Sequence, residues 1–336
     1  MPELRLNVIT RDWVIIATER AKRPDQFATS RAAGEPLPAF DPKCPFCPGN
    51  EGHTLKESLR LGDIHGWKVR VVPNKYPALS AEGERVRGGL GIFRSMNGVG
   101  LHEVIIEHPQ HNTAITLMKS GEVADILNVY RQRIVDIKKD PRIEAIIIFK
   151  NNGEGAGSSL VHPHSQLAAT PVVPFQFRAR IEEAVRYFDD SGECLFCRTL
   201  RDELEAGSRV ILESEHFVAF TPYAALSPFH TWIFPRRHAA SFDLITDAEL
   251  DDLAPMLKNV LAKMYHGLNN PDYNYSVRSA PTRDRNTDYY HWYLTIIPRV
   301  TKTAGFEYGS GMYINVSLPE ESAQYLRDVV IPEQRK

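Results

Sequence analysis

Apolar and polar positions along this chain fall into two sets with the same order, one in each half. Short runs rich in β-branched residues at 68–72 and 103–107 read as strands. From about Ser120 the apolar residues Val123, Ile126, Leu127, Tyr130, Ile134 and Ile137 recur at helical spacing, which predicts a helix with one buried face. A β-branched run at 143–149, a glycine-bearing stretch at 151–159 and the segment His162-Pro163-His164-Ser165-Gln166 follow. After residue 197 the order recurs, with strand-like runs at 209–212, 217–221 and 231–234, a helix, a strand at 273–278, and a last strand at 291–297. Thr246 with Glu249 three residues on has the form of a capping box at the start of the second helix. Leu250, Leu253, Leu257, Val260, Leu261 and Met264 give that helix its apolar stripe. The pattern predicts an α+β fold made of two copies of one module, residues 1–175 and 176–336, joined near 172–190. Each module would be an antiparallel sheet with helices packed on it.

Composition narrows the class without changing that picture. The chain has 336 residues, of which 43% are hydrophobic and 24% charged, enough for two cores or one large one. A net charge of -2 argues against a nucleic-acid partner, and small anionic metabolites suit it better than polymers. The N-terminal residues lack the layout of a signal peptide, and no apolar run approaches a membrane span, so the expectation is a cytoplasmic protein with no membrane partner.

Four cysteines form two pairs of equal spacing, Cys44-Pro45-Phe46-Cys47 and Cys194-Leu195-Phe196-Cys197. In a reducing compartment such pairs are metal ligands or a redox dithiol. Pro42, Pro45, Pro48 and Gly49 crowd the first pair into a turn, which suits a zinc knuckle. The repeat nominates the remaining ligands. His111 lies 64 residues beyond Cys47 and His162 a further 51, while His238 and His291 stand 41 and 53 residues on in the second half. His108 and His230 compete for these places on spacing alone. Zinc, one or two ions per chain, is the expected cofactor.

If the 162–166 segment is extended, period-two alternation sets His162, His164 and Gln166 on one face and Pro163 and Ser165 on the other. Phosphoryl chemistry has a use for that trio: one histidine attacks phosphorus, one is pinned by a metal, and a neutral amide donates to a phosphate oxygen. The second half has Tyr293 where the first has His164, and Thr295 where it has Gln166, so chemistry is expected in the first module only.

The order of Cys-Pro-Phe-Cys, a distal histidine, and His-Pro-His-Ser-Gln after an Asn- and Gly-rich loop resembles galactose-1-phosphate uridylyltransferase, a transferase branch of the histidine-triad superfamily. Arg20-Ala21-Lys22-Arg23-Pro24, Asn74-Lys75-Tyr76-Pro77-Ala78-Leu79 and Phe149-Lys150-Asn151-Asn152-Gly153 resemble motifs of the same family. The resemblance implies that His164 is the nucleophile and that Cys44, Cys47, His111 and His162 hold a zinc ion. It also implies that Gln166 contacts phosphate, and that Arg20, Arg23, Asn74, Asn151 and Ser159 bind nucleotide or phosphate. Glu307 matches a sugar-binding glutamate. The second set, Cys194, Cys197, His238 and His291, is similar to a second metal site of ADP-glucose phosphorylase relatives. A homodimer is implied as well.

The chain also departs from the family pattern. Ser165 stands where the uridylyltransferases have glycine, a feature similar to the ADP-glucose phosphorylase relatives, and Lys75, Asp25 and Tyr313 replace other family residues. The main expectation is a nucleotidyltransferase that exchanges the nucleotide between UDP-glucose and galactose 1-phosphate through a covalent nucleotidyl-histidine. An adenylyltransferase of the ADP-glucose phosphorylase type is the alternative. A nucleotide hydrolase is the second, although it would carry a third histidine at Gln166. Gln166 and backbone donors of the 155–159 loop are expected to offset charge on the phosphoryl oxygens.

Overall fold

The computed structural model describes residues 1–17, 24–28, 37–63 and 66–332, so Arg20 and Arg23 lie outside the described residues. In the first half the strands are β1 (Glu3–Leu6), β2 (Trp13–Ile16), β3 (Leu59–Gly62), β4 (Trp67–Pro73), β5 (Arg87–Leu90), β6 (Phe93–Met96), β7 (Leu101–Ile106), β8 (Ala145–Asn152) and β9 (His164–Thr170). Helix α1 (Ser120–Ile137) lies between β7 and β8. The second half opens with α2 (Phe175–Ser191) and α3 (Leu195–Ala206), then β10 (Val210–Glu213), β11 (Phe217–Phe220), β12 (Thr231–Pro235) and α4 (Asp247–Gly267). It closes with β13 (Tyr273–Arg278), β14 (Tyr293–Pro298), α5 (Gly305–Ser310), β15 (Tyr313–Asn315) and α6 (Pro319–Asp328).

Ten strands form one sheet in the order β10-β11-β12-β14-β13-β8-β9-β7-β4-β3. All neighbours in it are antiparallel, and each half supplies five strands in mirrored order. The fold is α+β. The halves meet where β8 pairs with β13, with Asn151 opposite Asn274 and Lys150 opposite Tyr275. A small sheet of β1, β2 and β15 contains the parallel pair β2–β15.

Alternation along the strands divides the sheet into two faces. On β9, Leu167 and Ala169 join the core beneath α1 and α4, while His164 and Gln166 point the other way. On β12, Ile233 joins that same core, whereas Trp232 and Phe234 pack beside α2 and α3. The predicted stripes of α1 and α4 are buried, and the two helices pack against each other. Complete burial of an aliphatic side chain such as Val123 or Leu127 stabilises by about 1.5–3 kcal/mol. Thr246 caps α4 with the expected reciprocal bonds to Glu249.

Two expectations shift. The joint placed near 172–190 contains a 17-residue helix, α2, because Phe177 and Ala184 find apolar surface to bury against. The histidine-bearing strand begins at His164 rather than His162, since Pro163 has no N–H to donate to the ladder.

Candidate active site and metal centres

The cysteine pairs and their distant histidines converge on two clusters, Cys44, Cys47, His111 and His162, and Cys194, Cys197, His238 and His291. In each cluster the ligand atoms lie within 4.8 Å of one another. In the first, Cys44 Sγ stands 3.7 Å from His162 Nδ1, and Cys47 Sγ is 3.5 Å from His111 Nδ1 and 3.6 Å from His162 Nδ1. Sulfur and nitrogen on one tetrahedral zinc are separated by roughly 3.6 Å, so the cluster has the size such an ion requires. The turn that presents the pair is tied by Asn50, which donates to the carbonyls of Asp41, Pro42 and Cys44, and the Asp41 N–H points at Cys47 Sγ. Gly49, at φ 87°, allows the chain to reverse there. His162 gives its Nε2 proton to the His108 carbonyl at 2.7 Å, which leaves Nδ1 free as a ligand atom.

The second cluster is built differently. Cys194 stands at the N-cap position of α3 and Cys197 in its first turn; the hydrogen bond between them lowers the Cys194 thiol and raises that of Cys197, so Cys194 is the readier thiolate. Cys197 Sγ is 3.3 Å from both His238 Nδ1 and His291 Nδ1, and His238 Nε2 meets the Thr287 carbonyl at 3.1 Å. The competing histidines are engaged elsewhere. His108 faces Glu122 and accepts from the Gln110 N–H, while His230 contacts Leu226 and Thr295.

His164 lies directly beyond the first cluster. Phe46, between the two cysteines, packs edge-on against both His162 and His164, with ring centroids 6.0 and 5.5 Å apart. His164 Nδ1 donates to the His162 carbonyl at 2.8 Å, so in the neutral ring Nε2 carries the lone pair. Burial pushes the imidazole below its ordinary value, and the Lys150 charge adds to that shift. The result is an uncharged imidazole held in one orientation with Nε2 free.

Gln166 is oriented by a residue that the sequence reading passed over. The Ala78 N–H donates to His102 Nδ1 at 3.1 Å, which assigns the proton to Nε2. That Nε2 lies 2.9 Å from Gln166 Oε1, so the Gln166 carbonyl is engaged and its NH₂ is left to donate. Asn74 stands beside the same ring, its Nδ2 3.3 Å from His102 Nε2 and its Oδ1 accepting from the Tyr76 N–H.

Behind His164 is a buried polar network. Lys150 Nζ donates to the His164 carbonyl at 2.9 Å and to Glu107 at 2.5 Å, and both side chains are almost completely enclosed. Tyr130 from α1 reaches Glu107, Ser165 and Tyr275 of the second half. Ser165, the departure from the family pattern, therefore turns its hydroxyl to Tyr130 at 2.7 Å, on the helix-covered face. Opposite charges at Glu107 and Lys150, each adjoining an apolar run, were the sequence signal for this pair.

The glycine loop corrects another expectation. The Gly155 N–H donates to Asp272 at 2.7 Å, and the N–H groups of residues 156–158 bond within the loop itself. Those four donors are thus engaged internally. Gly153 has φ 88°, and a Cβ there would come within 1.8 Å of the Asp272 carboxylate. Asn151 accepts from Asn274 at 2.8 Å, and Ser159 is exposed on the loop. Glu307 lies in the first turn of α5 and accepts from the Ala304 N–H. It lines a cavity of about 290 Å³ with Arg299, Lys302 and Tyr313, and neither His164 nor Gln166 borders that cavity.

The N-terminal domain model of galactose-1-phosphate uridyl transferase matches residues 1–174 and the C-terminal domain model matches residues 180–305. The chain belongs to the galactose-1-phosphate uridyl transferase family, whose members are hexose-1-phosphate nucleotidyltransferases. It is 39% identical over 333 residues to the ADP-glucose phosphorylase of Arabidopsis thaliana, covering 98% of this chain and 93% of that protein. It is 29% identical to the galactose-1-phosphate uridylyltransferase of Thermotoga maritima, over 98% of this chain and 99% of that one. The crystal structure of an Arabidopsis ADP-glucose phosphorylase with bound ADP-glucose superposes with a TM-score of 0.84 at 36% identity, covering 99% of this chain and 100% of that one. A solved uridylyltransferase superposes with a TM-score of 0.76 at 26% identity, covering 97% of each chain. Among the described residues no helix is long and apolar enough to cross a membrane.

Proposed function

We propose that the protein is an adenylyl-transferring phosphorylase that acts on ADP-glucose through a covalent nucleotidyl-histidine. His164 Nε2 attacks the phosphorus next to the adenosine and glucose 1-phosphate leaves, taking the electron pair of the broken P–O bond. Orthophosphate then takes the AMP group from the histidine and gives ADP. Splitting the exchange into two steps lets one site serve both partners in turn. The observation that carries this reading is the His164 ring, neutral and fixed by its Nδ1 bond to the His162 carbonyl. Gln166 would donate its NH₂ to a phosphoryl oxygen, where a preorganised donor contributes most. Arg20, Arg23, Asn74, Asn151 and Ser159 are proposed nucleotide or phosphate contacts, and Glu307 a sugar contact.

The preference for adenine rests on similarity. Identity is 39% to the ADP-glucose phosphorylase and 29% to the uridylyltransferase, and the structural superpositions rank the same way. This replaces UDP-glucose with galactose 1-phosphate as the main reading. Zinc suits both clusters, since two thiols and two imidazoles at these separations match its donor set. Four protein donors leave no open position, so the ion would be structural, and at the first site it would hold the segment that carries His162 and His164. A homodimer is part of the same proposal.

Incubation with ADP-glucose or UDP-glucose labelled in the nucleotide, followed by denaturation, tests the reading. The expected result is a label retained on the wild type from ADP-glucose and lost in His164→Gly. Labelling from UDP-glucose alone would return the uridylyl reading, and no labelled protein from either would end the covalent mechanism.

A further inference from the structure

The mirrored strand order places a counterpart of the catalytic site in the second half. Tyr293 begins β14 as His164 begins β9, and His230 Nε2 meets Thr295 at 2.8 Å as His102 meets Gln166. Arg278 stands opposite Tyr293 on β13. Extending the Phe149–Gln166 pairing by two residues puts Asn151 at the matching level of the first site.

Two arginines converge on this counterpart. Arg180 comes from α2 and Arg278 from β13, and each lies in the electrostatic field of the other and of Tyr290 and Tyr293. The Arg278 side chain forms no hydrogen bond or ion pair with any described residue; its guanidinium lies 5.5 Å from the Phe177 ring. Arg180 gives Nη1 to the Gln176 carbonyl at 2.7 Å and is hydrogen-bonded to the Tyr293 side chain. The Nε atoms of both arginines and the Tyr290 hydroxyl are sealed from solvent and make no hydrogen bond with described residues. Both arginine side chains nevertheless keep partial exposure, which leaves an approach. Asp12 is the carboxylate whose field reaches Arg180, and it does not pair with it.

Adjacent enclosed cations repel, and unpaired buried donors cost free energy, so this arrangement is stabilised by an anion that accepts several hydrogen bonds. Guanidinium forks and phenol hydroxyls fit the tetrahedral oxygens of phosphate. We propose that Arg180, Arg278, Tyr290 and Tyr293 form a second, non-catalytic binding site for a phosphate group. A phenol occupies the place of the nucleophilic imidazole, so the ligand is bound without being turned over.

Equilibrium dialysis with labelled orthophosphate, and separately with labelled glucose 1-phosphate, compares the wild type with Arg278→Met and Tyr290→Phe. The wild type should bind one more phosphate group per chain than Arg278→Met, whatever the catalytic site itself takes up, and Tyr290→Phe should weaken that extra binding several-fold. Turnover at saturating substrate should be the same in all three. Extra binding of orthophosphate alone would identify the free ion as the ligand, and extra binding of glucose 1-phosphate would identify a phosphate ester. Equal uptake of both ligands by wild type and Arg278→Met overturns the proposal. The comparison does not use adduct formation, so failure of the proposed reaction would leave it intact.

Discussion

His102 Nε2 lies 2.9 Å from Gln166 Oε1, with the Ala78 N–H closing the other side of the same ring at 3.1 Å. These two bonds choose the His102 tautomer and thereby the face of the Gln166 amide that can donate. Loss of the imidazole frees the amide to rotate. His102→Ala is expected to lower the rate of adduct formation by about 10- to 100-fold with little change in substrate KM, because the lost donor acts in the transition state. Single-turnover labelling measures it, and a variant with wild-type rate would show that Gln166 is oriented by something else.

The two metal clusters are expected to differ in consequence. Phe46 ties the first cluster to His164, whereas the second packs at the start of α3. Cys47→Ser should lose one metal ion per chain together with adduct formation. Cys197→Ser should lose one ion and keep most of the adduct formation. Elemental analysis alongside labelling checks both. Burial pushes the Cys44 thiol up to about 11, so a bound cation must displace its proton, and metal affinity should fall as pH drops.

Lys150 and Glu107 form an enclosed pair beneath β9. Lys150→Met leaves the Glu107 carboxylate buried without its counter-charge, which costs about 3–5 kcal/mol in comparable pairs. Urea unfolding should show that loss, and Lys150→Met combined with Glu107→Gln should recover a large part of it. Additive effects of the two substitutions would contradict the pairing.

His230 is held at about 3, below its ordinary 6.5, by burial and by the fields of Arg278 and Arg180. The unfolded chain binds a proton there that the folded chain excludes. The favourable state of this site is therefore present above about pH 6.5 and is lost as pH falls towards 3, at about 1.4 kcal/mol per pH unit. His230→Gln should flatten the fall in unfolding free energy between pH 6.5 and 5.5 by about 1 kcal/mol, since the unfolded histidine is only half protonated at the start of that interval. Parallel pH profiles for wild type and variant would rule it out.

Much of the fold was legible because its signals are local. The stripe from Val123 to Ile137 and the Thr246–Glu249 cap needed only helical spacing, and both are found where the pattern put them. The repeat nominated the same eight ligands that now converge, although spacing alone left His108 and His230 in competition. Local pattern could not decide which edges of the two half-sheets meet, since β8 pairs with β13 across more than a hundred residues. That pairing also carries Tyr275 to Tyr130 and places Asp272 against the glycine loop, so the loop's N–H groups turn inward, against expectation. The roles of His102, Lys150 and Glu107 were likewise decided by tertiary contact, because a charged or titratable residue acquires its protonation state and hydrogen-bond direction from the groups packed around it. Residue order by itself determined the elements, the two Cys/His sets and the histidine-bearing strand. Only the assembled sheet decided which nitrogen of His164 is free to react and which end of Gln166 faces the site, since both depend on single hydrogen bonds made after folding.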